Sequence, residues 1–321
     1  MPKVIFLTSL PPDLAKRLTA NAPSDFEVSV HSSRLSDPEK IGLIRDADFL
    51  ILFGGQVSEM VLRSTINLRL IQLVSAGFEH MDLPLCRELG IPIANNGGSN
   101  SIDVSEHTLS LILGFYRHLG EQDQNVRSEK FSEINTGRST YTIHGKTAGI
   151  IGLGNIGQKV TRLLTAFGAT CLYYDAYPAS DEIEKALGVS HVSLDELLKQ
   201  SDIVTLHVPL NDQTNRMIGK RELELMKPTA LLVNTCRGNV INQIALTETL
   251  QNRSIMGAAL DVLEQEPPGP DDPILTLDNV LLTPHSAGVT FDTWSRRGEF
   301  VFENLQRVWK GESPLALVRE S

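Results

Sequence analysis

The chain has 321 residues, enough for two domains at roughly 100–200 residues each. Hydrophobic residues make up 41% and charged residues 21%, a globular balance that excludes disordered, collagenous and low-complexity chains. The 29 Lys and Arg against 39 Asp and Glu leave a net charge of −10, which removes the electrostatic attraction that nucleic acid or an anionic membrane surface would need.

The first apolar run, Val4–Leu7, gives way to Ser9 and the Pro11-Pro12-Asp13 break, too short for a signal-peptide core. No stretch approaches the ~18 consecutive apolar residues of a spanning helix, so a cytoplasmic protein is expected. Cys86, Cys171 and Cys236 are odd in number and lack C-x-x-C spacing, as expected of free thiols in a reducing compartment with no metal site.

Strand-like runs at Val4–Leu7, Phe26–Val30, Phe49–Phe53, Leu70–Val74 and Ile91–Ala94 alternate with helix-like stretches at Asp13–Ala20, Asp37–Arg45, Ser58–Ser64 and Pro84–Leu89. Such alternation predicts one α/β unit on a parallel sheet. The Asn95-Asn96-Gly97-Gly98-Ser99-Asn100 segment then breaks the pattern, and a long helix is predicted from Ser101 to about Gly120. A second series follows: Ala148–Leu153, Thr170–Tyr174, Ile203–His207, Ala230–Val233, Met256–Leu260 and Val280–Leu282 read as strands buried on both faces. A final amphipathic helix over Phe291–Trp309 is expected to return to the first domain, because connections in such folds stay short.

The second series opens with Gly152-Leu153-Gly154-Asn155-Ile156-Gly157 between a strand and a helix, and the next strand ends at Asp175. Glycines there let the chain turn tightly, bring backbone N–H groups to a pyrophosphate and pack the helix against the sheet. The acid accepts hydrogen bonds from a ribose and repels a 2′-phosphate, so NAD rather than NADP is the expected cofactor. Because the turn begins at residue 152, a whole domain precedes it, which disfavours dehydrogenases that open with their nucleotide fold.

Three further polar residues follow apolar strands: Arg237, Glu266 and His285. Carboxyl ends of parallel strands line the ligand crevice. Reduction of a 2-oxo acid needs a cation for its carboxylate and carbonyl, which a guanidinium supplies with its fork of donors. It also needs a proton donor, for which an imidazole held by a carboxylate is suited. Singly, each residue also reads as a surface Arg, a turn acid or a core His.

Together these residues make the sequence resemble the D-isomer-specific 2-hydroxyacid dehydrogenase family. The resemblance covers nearly the whole chain and rests on Gly152–Gly157, Asp175, Val104-Ser105-Glu106-His107, Arg237-Gly238, Asp261 through Pro267, and Pro284-His285. It implies a Rossmann NAD-binding domain, residues 99–287, inserted into a flavodoxin-like substrate domain made of residues 1–98 and 288–321. Both are doubly wound α/β sheets. The implied reaction is NAD-dependent interconversion of a D-2-hydroxy acid and its 2-oxo acid. Arg237 would bind substrate, His285 would give or take the proton, and Glu266 would pair with His285. Backbone N–H groups of Ser75, Ala76 and Gly77 would take the substrate carboxylate. NAD would touch Val104, Gly152, Gly154, Asn155, Ile156, Gly157, Asp175, His207, Val208, Pro209, Thr214, Thr235, Cys236, Asp261, His285 and Gly288. Asp261 would accept from the nicotinamide carboxamide. The resemblance also implies a homodimer built through about 101–144, and closure about hinges near Ser99–Asn100 and Ala287–Gly288.

Departures from the family pattern carry their own expectations. Cys236 replaces a smaller residue and would make the site sensitive to thiol reagents, and Trp294 would shape the pocket. The Phe53-Gly54-Gly55-Gln56 loop lacks the Arg of phosphoglycerate-specific relatives, so an unphosphorylated substrate is favoured. Glu266 in place of Gln argues against a formate dehydrogenase. The rival reading is an NAD(H)-sensing, corepressor-like binding protein of the same fold.

Overall fold

A computed structural model of the chain describes residues 1–131 and 136–318. It divides into two compact units, Met1–Asn100 with Val289–Ser321, and Ser101–Gly288.

In the first unit β1 (Lys3–Thr8), β2 (Glu27–Ser32), β3 (Phe49–Phe53), β4 (Leu70–Leu73) and β5 (Ile93–Ala94) form a parallel sheet ordered β2-β1-β3-β4-β5. This is the flavodoxin-like order. The apolar runs of β1, β3 and β4 are buried almost throughout, as strands covered by helices on both faces must be, whereas β2 at the edge is largely solvated. The helix Asp37–Ile44 starts at a capping box in which the Ser36 N–H donates to Glu39 at 2.8 Å.

The last helix, Thr293–Trp309, lays Trp294, Val301, Phe302 and Leu305 against Val4, Phe6, Phe49 and Leu70. Each such side chain contributes roughly 1.5–3 kcal/mol by leaving water. Gly298 lets it cross the helix Pro12–Leu18 closely, since a Cβ there would lie 2.0 Å from the Leu18 carbonyl oxygen. Trp294 is 1% exposed and meets the Phe53 ring edge-on at 5.3 Å, so it is core rather than the expected pocket wall. The chain then bridges to β5, with the Val318 N–H donating to Ile93 O at 2.8 Å.

The second unit carries β6 (Thr147–Ile151), β7 (Thr170–Tyr174), β8 (Ser190–His191), β9 (Ile203–Leu206), β10 (Leu231–Asn234), β11 (Gly257–Leu260) and β12 (Val280–Leu282). All pair in parallel in the order β12-β11-β10-β9-β6-β7-β8. Counted from its own first strand the order is 3-2-1-4-5-6-7, the doubly wound Rossmann arrangement, with its switch point between β6 and β9. The unit thus lies, in sequence, between the two pieces of the first.

The helix predicted to run to Gly120 stops at Tyr116. His118 adopts a left-handed backbone, φ 48°, and a separate helix, Leu119–Arg127, buries none of its residues. Among the described residues no helix is long and apolar enough to cross a membrane.

Candidate active site

At the switch point, Gly152 (φ 93°) sits where a Cβ would stand 2.7 Å from the carbonyl oxygen of His207. Gly157 is closer still: its Cβ would lie 2.0 Å from the Gly152 oxygen, so the helix Asn155–Ala166 presses directly on the turn. Around Gly154 no atom falls within 4 Å of the would-be Cβ. That open space lies at the helix start, where Asn155 and Ile156 supply the first-turn N–H groups and the dipole is positive. The Asp175 carboxylate is drawn to the same turn, accepting from Leu153 N at 2.8 Å and from Tyr177 N at 3.1 Å. A cradle that any side chain would fill, a helix N-terminus and an acid at the second strand fit a dinucleotide.

Beyond β9 come His207, Val208 and Pro209, braced by Thr214, whose Oγ1 donates to Pro209 O at 2.6 Å. Burial pushes the His207 imidazole down to about 3, so it is neutral at any working pH. Beyond β10, Asn234 is 0% exposed and organises its loop. Its Oδ1 accepts from Cys236 N at 3.0 Å and from Cys236 Sγ at 3.1 Å, and its Nδ2 donates to Arg237 O at 2.9 Å. Arg237 Nη1 donates to Cys236 O at 2.7 Å, which orients the half-buried guanidinium. Thr235 reaches Thr108 at 3.1 Å, and Thr108 donates to the carbonyl of the buried Val104 at 2.8 Å. Burial pushes the Cys236 thiol up to about 11, which weighs against the expected thiol sensitivity.

Beyond β11 and β12 lie Asp261, Glu266, His285 and Gly288. His285 Nδ1 is 2.6 Å from Glu266 Oε2, while Glu266 Oε1 accepts from Leu263 N at 2.9 Å, fixing the carboxylate. The Asp261 carboxylate, 1% exposed, accepts from Thr283 Oγ1 (2.6 Å), Ser286 N (2.9 Å) and Ala287 N (2.9 Å), and so holds the loop that bears His285. Gly238, next to Arg237, touches Leu263 so closely that a Cβ would lie 1.9 Å from its oxygen. The Arg237, Glu266 and His285 segments are thereby joined within one unit.

The Ser75–Gly77 loop belongs to the other unit. Its three carbonyls are engaged: Ser75 O accepts from Asn96 N (3.1 Å), Ala76 O from Asn95 Nδ2 (3.0 Å) and Gly77 O from Ser75 Oγ (2.8 Å). The backbone amides are what the loop has left to offer a ligand.

The sequence alone gives no role to Asn234, Thr283 and His107. The first carried a legible signal, a polar residue closing an apolar strand; the other two became meaningful only through partners distant in the chain.

Fold and turn define a dinucleotide-binding α/β protein. The family described as D-isomer specific 2-hydroxyacid dehydrogenase, NAD binding domain, matches residues 109–287. The chain is 36% identical to the glyoxylate reductase of Korarchaeum cryptofilum over 313 residues, 96% of this chain and 94% of that one. It is 38% identical over 288 residues, 89% of its length, to the D-3-phosphoglycerate dehydrogenase of Methanocaldococcus jannaschii, of which it spans about half (54%). The apo crystal structure of Rhodotorula graminis D-mandelate dehydrogenase superimposes with a TM-score of 0.85 at 28% identity, covering 99% of this chain and 98% of that one. The chain belongs to the D-isomer-specific 2-hydroxyacid dehydrogenase family, its second unit being the NAD-binding domain of an NAD-dependent oxidoreductase.

Proposed function

We propose that the protein reduces a short, unphosphorylated 2-oxo acid to the D-2-hydroxy acid, and runs the reverse oxidation, with Arg237, Glu266 and His285 as its chemical groups. The observation that carries this reading is the 2.6 Å contact between His285 Nδ1 and Glu266 Oε2. With Nδ1 turned to a carboxylate, Nε2 is the nitrogen left to exchange a proton with substrate oxygen, and Glu266 stabilises the imidazolium that donates it. Arg237 takes the substrate carboxylate and polarises its carbonyl, stabilising the charge that develops on oxygen. When bound, NADH supplies the hydride; Gly154, Asn155 and Ile156 would hold its pyrophosphate and Asp175 its ribose, with no room for a 2′-phosphate charge.

Support for an unphosphorylated substrate comes from the Phe53–Gln56 loop, which carries no cation of its own. The Lys40 ammonium that reaches it is buried (6% exposed) and donates to the Gln56 carbonyl at 2.9 Å. We further propose a homodimer formed through the helix Leu119–Arg127 and its surroundings, where Leu119, Val126 and Phe131 are 57%, 57% and 78% exposed. Purified protein is tested for NADH oxidation with glyoxylate, pyruvate, hydroxypyruvate, phenylpyruvate, 2-oxoglutarate and phosphohydroxypyruvate, with His285→Ala alongside. Turnover of the small acids, lost in the variant, is the expected result. Preference for the phosphorylated acid, or full activity in the variant, overturns the reading.

A further inference from the structure

At the carboxyl ends of β11 and β12 three side chains, His107, Thr283 and Asp261, form a hydrogen-bonded relay beside the loop that carries His285. His107, on the helix Ser101–Tyr116, places Nε2 3.1 Å from Thr283 Oγ1 and 3.5 Å from Asp261 Oδ1. The single hydroxyl proton of Thr283 goes to Asp261 Oδ1 at 2.6 Å, so toward His107 the Thr283 oxygen is an acceptor and His107 Nε2 carries a proton. Asp261 in turn takes the N–H groups of Ser286 and Ala287, each at 2.9 Å. The His285 N–H donates to the carbonyl oxygens of Asp261 (2.7 Å) and Thr283 (3.1 Å). His285 itself sits at φ 52°, a left-handed backbone that a bulky residue keeps only when its surroundings over-determine it.

We propose that His107 is a positioning residue for proton transfer: its Nε2–H, through Thr283 and Asp261, holds the Thr283–Gly288 loop in the conformation that presents His285. The inference rests on the reading of His285 as the proton-transfer group. Its place in the chain supplies a reason. The helix bearing His107 begins where the chain enters the second unit, at Ser101, and Thr283–Gly288 is the stretch by which it leaves. The relay ties entry to exit at the residue that must be held still. Volume alone would be supplied by any side chain of similar size, whereas this role needs a donor aimed at Thr283 Oγ1.

The test compares His107→Leu with His107→Gln, which keeps an N–H donor on a side chain of similar reach, and with Thr283→Val. Readouts are kcat and KM for NADH-dependent reduction of glyoxylate or the best acid of the panel, and the NADH dissociation constant by fluorescence titration. His107→Leu is expected to lower kcat about tenfold or more while NADH affinity stays within about twofold. His107→Gln should recover most of that loss. Thr283→Val should reproduce it, and the double variant should be no worse than either single one, because both break the same relay. Unchanged kcat in His107→Leu, or equal losses in the Leu and Gln variants, overturns the proposal. Where His107→Leu does not fold, Thr283→Val decides: wild-type kcat refutes the relay, a selective kcat loss supports it. Full turnover in His285→Ala removes the reading underneath, whereas an inactive His285→Ala beside a wild-type-like His107→Leu removes the relay alone.

Discussion

Gly238 and Leu263 touch so closely that a Cβ on the glycine would stand 1.9 Å from the Leu263 carbonyl oxygen. The contact joins the loop carrying Arg237 to the loop carrying Glu266, whose two oxygens are spent on Leu263 N (2.9 Å) and His285 Nδ1 (2.6 Å). A side chain at 238 must push the cation away from the proton-handling pair. Gly238→Ala is expected to lower kcat/KM by about a hundredfold, since misplacements near 1 Å cost that much. Overpacking should also lower stability by ~1–3 kcal/mol. NADH oxidation and thermal unfolding measure the two effects; wild-type kinetics would show that the loops move independently.

Two glycines of the turn separate folding from binding. A Cβ at Gly157 meets the Gly152 backbone oxygen at 2.0 Å, whereas one at Gly154 meets nothing within 4 Å. Gly157→Ala should therefore cost at least about 2 kcal/mol of stability, because backbone must shift. Gly154→Ala should unfold at nearly the wild-type Tm yet bind NADH about tenfold more weakly, its methyl filling the cradle. Equal NADH affinity in Gly154→Ala would move the pyrophosphate elsewhere.

Asp202 sets part of the acid stability of the second unit. Partial burial favours its neutral form, yet the Thr147 N–H at 2.9 Å and the Lys227 ammonium at 3.0 Å prevail and hold its carboxyl below the usual carboxylate range. A depressed folded-state value means stability that is fully present above the ordinary value near ~3.9 and lost as pH falls through the folded one. Asp202→Asn should cost ~1–2 kcal/mol at neutral pH, and the gap should close in strong acid. Denaturant melts of both proteins across pH test this; a gap independent of pH would assign the effect to packing.

The Cys236 thiol, pushed up to about 11 by burial and donating to Asn234 Oδ1 at 3.1 Å, is not a nucleophile at neutral pH. Iodoacetamide at pH 7.5 should leave it unmodified in the folded protein and label it in denaturant, as peptide mass mapping would show. Rapid native labelling with loss of activity would return it to the sensitive position that its neighbourhood to Arg237 implies.

How much of this was legible varies by element. Phe49–Phe53, Thr170–Tyr174 and Val280–Leu282 carry their strands in plain apolar runs, and observed bounds equal predicted ones. Ser190–His191 left no signal, because both residues of that two-residue edge strand are exposed and its hydrogen bonds come from β7. Gly120 is the residue expected to terminate the long helix, yet the left-handed turn falls on His118, a residue type that takes that backbone more readily than most.

The sequence by itself determined the two α/β series, the glycine turn with its acid, and the identities of Arg237, Glu266 and His285, because these follow from local pattern and side-chain chemistry. Tertiary structure alone decided that Asp261 accepts from the His285 loop, that Trp294 is core, that Cys236 is buried and that His107 answers to Thr283. A side chain's type is written at its own position. Its hydrogen-bond partners and its burial are supplied by residues far along the chain, and they exist only once the sheet has brought β10, β11 and β12 side by side.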